Sequence, residues 1–200
     1  MNDIISIGVN AAYSTSNRHK ILEGSNTVGI INSAIKLEPV VPVRNADGSY
    51  GSSKYIDYPN PVAAIDYTNS KEKNQDLVGN VYATVNILKG LYFKTLLGLN
   101  SNNFDSYDFD PTYYVSNAQR IDINKVTRGY SKRNNMLLEN TLNFNRVFAE
   151  KHTINAVLGY TAEKTRYENV SASKQGVPNN EPDMQYLDAA QLASSATAAG

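Results

Sequence analysis

Few residues of this chain have the means to do chemistry. Asp105, Asp108 and Asp110, within Asp105-Ser106-Tyr107-Asp108-Phe109-Asp110-Pro111, could offer carboxylate oxygens to a hard cation such as Ca²⁺, but the glycine and closing glutamate of an EF-hand loop are missing. A solvated acidic loop accounts for them, and neither a metal nor another cofactor is expected. His19 and His152 are the only histidines. The first lies in a polar stretch and the second beside Glu150 and Lys151, with no nucleophile placed near either, so both read as surface residues. No serine sits in a Gly-x-Ser-x-Gly elbow and no glycine run cradles a phosphate, so no catalytic residue is assigned and the chain is not read as an enzyme. What remains is aromatic. Tyr107, Phe109, Tyr113 and Tyr114 combine apolar area with hydroxyls that could bind a sugar or peptide, although a loop closing on itself would use the same rings.

The elements that carry these residues are strands. From Asp76 to Leu88, Leu77, Gly79, Val81, Ala83, Val85 and Ile87 point one way, while Val78, Asn80, Tyr82, Thr84, Asn86 and Leu88 point the other. Lys89-Gly90 then turns the chain, and Leu91, Phe93, Thr95, Leu97 and Leu99 form a second apolar face against Tyr92, Lys94, Leu96, Gly98 and Asn100. The first run exceeds both the usual globular strand of about 5–6 residues and the roughly 9–11 that cross a bilayer at a tilt. One apolar and one polar face is what a membrane barrel needs, and a long ribbon in a soluble sandwich or solenoid alternates in the same way. A second hairpin follows. Met136, Leu138, Leu142, Phe144 and Phe148 share one face of 135–148, and Ile154, Ala156, Leu158, Tyr160 and Ala162 share one face of 153–165, with 149–152 as a short connector. Asn140 and Arg146 fall on the apolar face. Arg146 is close enough to the turn to snorkel, whereas Asn140 calls for a β-bulge, a level outside the membrane or the opposite face assignment.

A further strand is expected over 4–13, with Ile5, Ile7, Val9, Ala11 and Tyr13 together. Residues 14–74 and 101–132 read as long polar excursions. The first holds a short helix over 27–37 (Val28, Ile31, Ala34 and Ile35 on one face), a turn at Asn45-Ala46-Asp47-Gly48, and three prolines, Pro42, Pro59 and Pro61, that interrupt regular structure. Short turns at one end and long loops at the other follow the pattern of transmembrane barrels with extracellular loops.

Composition is compatible with this and narrows it little. The 200 residues are 41% hydrophobic with 14 tyrosines, no tryptophan and no cysteine, so disulfides and thiolate metal sites are excluded. Nineteen acidic and nineteen basic residues balance to zero, and no basic stripe points to nucleic acid. No apolar run reaches the 18 residues or so of a membrane helix, and none resembles a secretory signal behind Met1-Asn2-Asp3. Five strand-like segments cannot close a barrel, which needs about eight, so the chain is expected to be an internal segment of a longer protein.

Several of these pieces, in this order, resemble SusC/RagA-type TonB-dependent outer-membrane transporters. They are Asn60-Pro61-Val62-Ala63-Ala64-Ile65, the hairpin through Val78-Gly79-Asn80, Lys89-Gly90-Leu91 and Phe93-Lys94-Thr95, and Leu138-Glu139-Asn140-Thr141-Leu142 with Phe148, Lys151-His152 and Leu158-Gly159-Tyr160. The loop from Pro39 to Gly48 and Gly176-Val177-Pro178-Asn179 are similar to loops of that family. The resemblance implies an all-β fold of antiparallel transmembrane barrel strands, with residues 1–200 forming part of the barrel domain and lacking signal peptide, TonB box, plug and remaining strands. It also implies location in the cell outer membrane, import of an oligosaccharide or oligopeptide with a SusD-type surface lipoprotein, and energy from the TonB complex through regions outside this chain. The alternative is a secreted or surface β-rich binding module or adhesin.

Overall fold

The computed structural model describes residues 4–21, 29–192 and 194–199. Its frame is one antiparallel sheet, built because each alternating run finds its neighbour across a tight turn or a long excursion. The strands are β1 (Ile5–His19), β2 (Asn69–Leu88), β3 (Leu91–Asp110), β6 (Lys125–Phe148), β7 (His152–Gln175) and β8 (Ser194–Ala199), hydrogen-bonded in that order. Between β3 and β6 lies a small hairpin of β4 (Tyr113–Ser116) and β5 (Gln119–Ile121). The large sheet does not close on itself: β1 and β8 are its edges.

Both hairpin turns rely on left-handed backbone. Gly90 has φ 83°, and a Cβ there would stand 2.1 Å from the Asn145 carbonyl oxygen, so only glycine fits. In the second turn Ala149 and Glu150 have φ 48° and 56° while the Lys151 amide donates to the Phe148 carbonyl at 3.2 Å, the primed geometry whose twist matches the flanking strands.

Register places the alternating residues in rows across the sheet. Val9, Val81, Leu97, Leu138 and Ala162 form one row, and Ile5, Val85, Phe93, Leu142 and Leu158 another, all on the same face. The opposite face carries Ser6, Thr84, Lys94, Thr141 and Gly159, with the Lys94 ammonium 5.0 Å from the centre of the Tyr82 ring. The face assignment from sequence therefore holds up to Asn86; beyond it a register shift between Asn86 and Leu88 pairs Leu88, expected on the polar face, with Leu91 of the apolar one. Asn140 pairs with Thr95 and Tyr160 with no register shift, so no bulge redirects it and it stands on the apolar face beside a hydroxyl. Nothing in the described chain covers the apolar band of this face: Leu97 is 58% and Leu158 73% exposed. From Leu77 to Ile87 the band is about 33 Å long at 3.3 Å per residue, or about 25 Å high at the tilt of a barrel strand.

The polar excursions expected from sequence are much shorter in the structure. β1 runs on to His19, β2 begins at Asn69, β3 reaches Asp110 and β6 starts at Lys125. Beyond the apolar band there is no hydrophobic contrast to mark a strand, yet neighbouring strands still supply every backbone partner, and the ladder continues. Ser101 is accordingly a strand residue facing Leu77 and Asn134. The expected helix is α1 (Ile30–Lys36), of which Thr27 and Val28 lie outside the described residues. Its orientation is a correction, since Ile30 and Ser33 are buried against α2 (Pro61–Asp66) while Ile31, Ala34 and Ile35 are exposed. α2 was not expected, because Pro59 and Pro61 read as breakers. Pro61 instead occupies the first turn, where its missing N–H costs nothing.

The only buried apolar cluster among the described residues is formed by Phe109, Val126, Val177 and Ala190, flanked by Tyr107, Leu187 and Ala189. It forms where the chain after β7 folds back over the upper strands. Gly176 permits the reversal with φ 75°, and the buried Asn124 side chain clasps Val177 by accepting from its amide at 2.8 Å and donating to its carbonyl at 3.1 Å.

Candidate functional site

The loops above the strands are held by one amide. Asn60, 2% exposed, caps α2 by accepting from the Val62 and Ala63 amides at 3.1 and 3.3 Å, and its Nδ2 donates to the Val43 and Gly51 carbonyls at 2.9 Å each. Its backbone is bound reciprocally by Gln119 of β5: the Asn60 N–H donates to Gln119 Oε1 at 2.7 Å, and Gln119 Nε2 donates to the Asn60 carbonyl at 3.0 Å. Two loops nearly sixty residues apart thus become one body. Asn60→Ala is expected to uncap α2 and orphan two carbonyls, costing about 1–3 kcal/mol locally. Hydrogen exchange across 43–66 should rise, and less in Asn60→Asp, which keeps the cap; unchanged exchange in Asn60→Ala would show that the clasp does not hold the loops.

Onto this body are set three stacked phenols. Tyr67 lies face to face with Tyr113 (centroids 4.1 Å, planes 6° apart) and edge to face with Tyr50 at 5.6 Å. The Tyr50 hydroxyl donates to Asp66, which also pairs with Arg44 at 3.1 Å, and the Arg44 guanidinium lies 4.1 Å from the Tyr50 ring centre. Burial pushes the Tyr50 phenol above its ordinary value, with the bond to Asp66 adding to it, and burial raises Tyr113 in the same way, reinforced by Asp110. Both remain neutral hydrogen-bond donors at neutral pH.

The four aromatics singled out from sequence are not brought together. Tyr113 lines a hollow of about 210 Å³ with Tyr67, Asp110, Gln119 and Ile121. Tyr114 is 64% exposed on a shelf with Ser52, Lys54 and Asn117, to whose Oδ1 its hydroxyl donates at 3.3 Å. Tyr107 stands on the far side of the sheet, under the Arg128 guanidinium and donating to Gln185 Oε1 at 2.8 Å. Phe109 is 2% exposed, its ring spent on the packing against Val126, Val177 and Ala190. The three aspartates separate as well: Asp105 projects to the outward face and Asp108 and Asp110 to the other, with Asp108 accepting from the Ser70 hydroxyl.

Sequence reasoning passed over the inner polar wall. Asn102 Nδ2 donates to Asn74 Oδ1 at 2.8 Å and Asp76 Oδ1 at 2.6 Å, in a hollow of about 470 Å³ that also takes in Arg133, Asn135 and Tyr167. The Asn135 Oδ1 is buried without a hydrogen-bond partner among the described residues. Asn, Ser and Asp repeat along both faces here, so spacing alone has no contrast to select them. The Asn60 cap did have a signal: Asn followed by Pro, ahead of Val62-Ala63-Ala64-Ile65, is a helix start.

No protein-family model matches the chain. Among curated proteins it is 28% identical over 188 residues to TonB-dependent receptor P3 of Formosa agariphila, covering 91% of this chain and 18% of that protein. TonB-dependent receptor P39 of the same organism is 27% identical over 163 residues, covering 80% and 15%. The chain therefore spans less than a fifth of these relatives. Among solved structures, the RagAB peptide transporter matches with a TM-score of 0.71 at 12% identity, and the RagAB peptide importer in its open-open state with 0.72 at 15%; each match takes in 100% of this chain and 23% of the other. These structures share its fold: an open stretch of antiparallel barrel strands. Receptors and transporters, not enzymes, are what the chain is similar to.

Proposed function

With likeness to SusC/RagA-type TonB-dependent receptors as the premise, we propose that residues 1–200 are part of the barrel domain of an outer-membrane importer. In this reading the apolar rows face lipid, the Asn102–Asp76 wall faces the lumen or plug, and the Asn60 body stands at the extracellular mouth. The observation that carries it is the sheet itself: an uncovered apolar band of bilayer height backed by a polar face, on strands of 24 residues that rise far beyond it. The cargo is an oligopeptide or oligosaccharide, delivered with a SusD-type lipoprotein and drawn in through TonB by regions outside this chain. At the mouth, Tyr114 is the aromatic most open to such a ligand, followed by Tyr113; Tyr107 faces outward from the sheet and Phe109 acts by holding the loops.

Two measurements on the full-length protein test this. It should fractionate with the outer membrane and require detergent for release; release by salt alone would favour the surface adhesin. Cells lacking it should lose uptake of labelled oligopeptides or oligosaccharides, and Tyr114→Ala should weaken capture by about twofold to thirteenfold, a stacking contact being worth about 0.5–1.5 kcal/mol. Undiminished uptake of both ligand classes in cells lacking the protein would reject the importer.

A further inference from the structure

The outward face changes character above its apolar band. Climbing from the row Ala11–Gly79–Leu99–Met136–Lys164, four more rows end at His19–Lys71–Tyr107–Arg128–Ala172. Their outward cations are Lys71, Lys73, Arg128, Lys132, Lys164 and Arg166, and their only outward anions are Asp105 and Glu168. The inward positions of the same stretch balance, with Arg18 and Arg133 against Glu72 and Asp76. A polar surface in water has no reason to separate charge in this way between two sides of one sheet.

The cations are also free to act. Arg166 pairs with Glu168 at 2.7 Å, but Lys71, Lys73, Lys132 and Lys164 make no ion pair with a described residue. The Arg128 guanidinium stands over Tyr107, 4.2 Å from its ring centre, and the Tyr107 hydroxyl donates to Gln185 Oε1 at 2.8 Å. A cation–π contact holds the guanidinium in place, and its N–H groups suit a planar or tetrahedral oxyanion. Beside it is a groove of about 640 Å³ whose charged lining is Arg18, Lys71, Lys73 and Arg128 against Glu72 and Asp105.

We infer that this collar binds the phosphate groups of glycolipids in the outer leaflet. The band below it is where acyl chains end, so the first molecules the collar meets are the headgroups of those same lipids. The rows rise about 26 Å along the strands, or about 20 Å in height, which a large phosphorylated sugar headgroup can follow and a simple phosphodiester cannot. The inference rests on the barrel reading above.

The test uses the full-length protein extracted in neutral detergent, with folding verified independently by heat-modifiable mobility on gels. Diphosphorylated lipid A and its dephosphorylated analogue are offered in the same micelles, and retained lipid is counted by native mass spectrometry. The protein should favour the phosphorylated lipid by at least about tenfold, since several cations meet the headgroup phosphates together, and the preference should fall as salt rises. A Lys71→Gln, Lys73→Gln, Arg128→Gln, Lys132→Gln variant should lose the preference, and the inward Arg133→Gln should keep it. Equal retention of both lipids by the unaltered protein, or an unaffected quadruple variant, overturns the collar. Displacement of the bound lipid by millimolar inorganic phosphate would mark a free-phosphate site and overturn the lipid assignment. A protein without heat-modifiable mobility would instead fail the barrel reading.

Discussion

Val81→Arg in the full-length barrel is expected to lower its unfolding free energy by about 2–4 kcal/mol, and Thr84→Arg by less than about 1 kcal/mol. The two positions are three residues apart on β2 and differ in the face they occupy. Val81 stands in a row with Val9, Leu97, Leu138 and Ala162, which offers a guanidinium no anion, hydroxyl or water. Thr84 stands with Ser6, Lys94 and Thr141, a row that already carries a cation. Depth adds a second contrast: Ile87→Arg, on the same face as Val81 but beside the turn, is expected to cost about 0–1 kcal/mol, because its long side chain reaches the interface. Denaturant titration of the protein in vesicles, followed by heat-modifiable mobility, gives the three values. Equal costs at Val81 and Thr84 would reject the two-faced barrel strand.

This contrast is readable in the sequence because Leu77 to Ile87 alternates in only one sense, leaving one face of that run wholly apolar, as lipid on one side of a barrel strand requires. Above the band that constraint lapses. Ser101 to Asp110 and Lys125 to Asn134 are strand in the structure but carry polar residues on both faces, so their ladder is set by neighbours and not by pattern. Local chemistry misled in the same region. Ile31 and Ile35 satisfy a helical stripe, yet α1 buries Ile30 and Ser33, since α2 decides which side is covered. Phe109 could not be separated from Tyr114 by type. Its burial depends on Val177 and Ala190, which arrive from a fold-back anchored at Asn124. The loop body has a similar origin: Asn60 meets Gln119 only because the β1–β2 and β3–β6 excursions emerge at one end of the sheet.

That meeting fixes the sidedness of the strands. β2 pairs with β3, β3 with β6 and β6 with β7, all antiparallel, so the Lys89-Gly90 turn and the turn at Ala149-Glu150 must share one end. The Asn145 amide donates to the Gly90 carbonyl at 2.7 Å, tying the first turn to the strand that leads into the second. The Asn60 body is at the other end, separated from the turns by the whole band. Since the chain contains no cysteine, single replacements in a full-length protein otherwise freed of cysteine give unique thiols. Asp47→Cys and Asn117→Cys, both exposed on that body, are expected to react with a membrane-impermeant maleimide on intact cells, and Lys89→Cys and Lys151→Cys only after the outer membrane is opened. The difference should be close to all or none, because one bilayer stands between the two pairs. Labelling of the turn sites with protection of the loop sites would place the loops in the periplasm and remove them from any role in ligand capture, while labelling of all four on intact cells would mean that no membrane separates the ends of these strands.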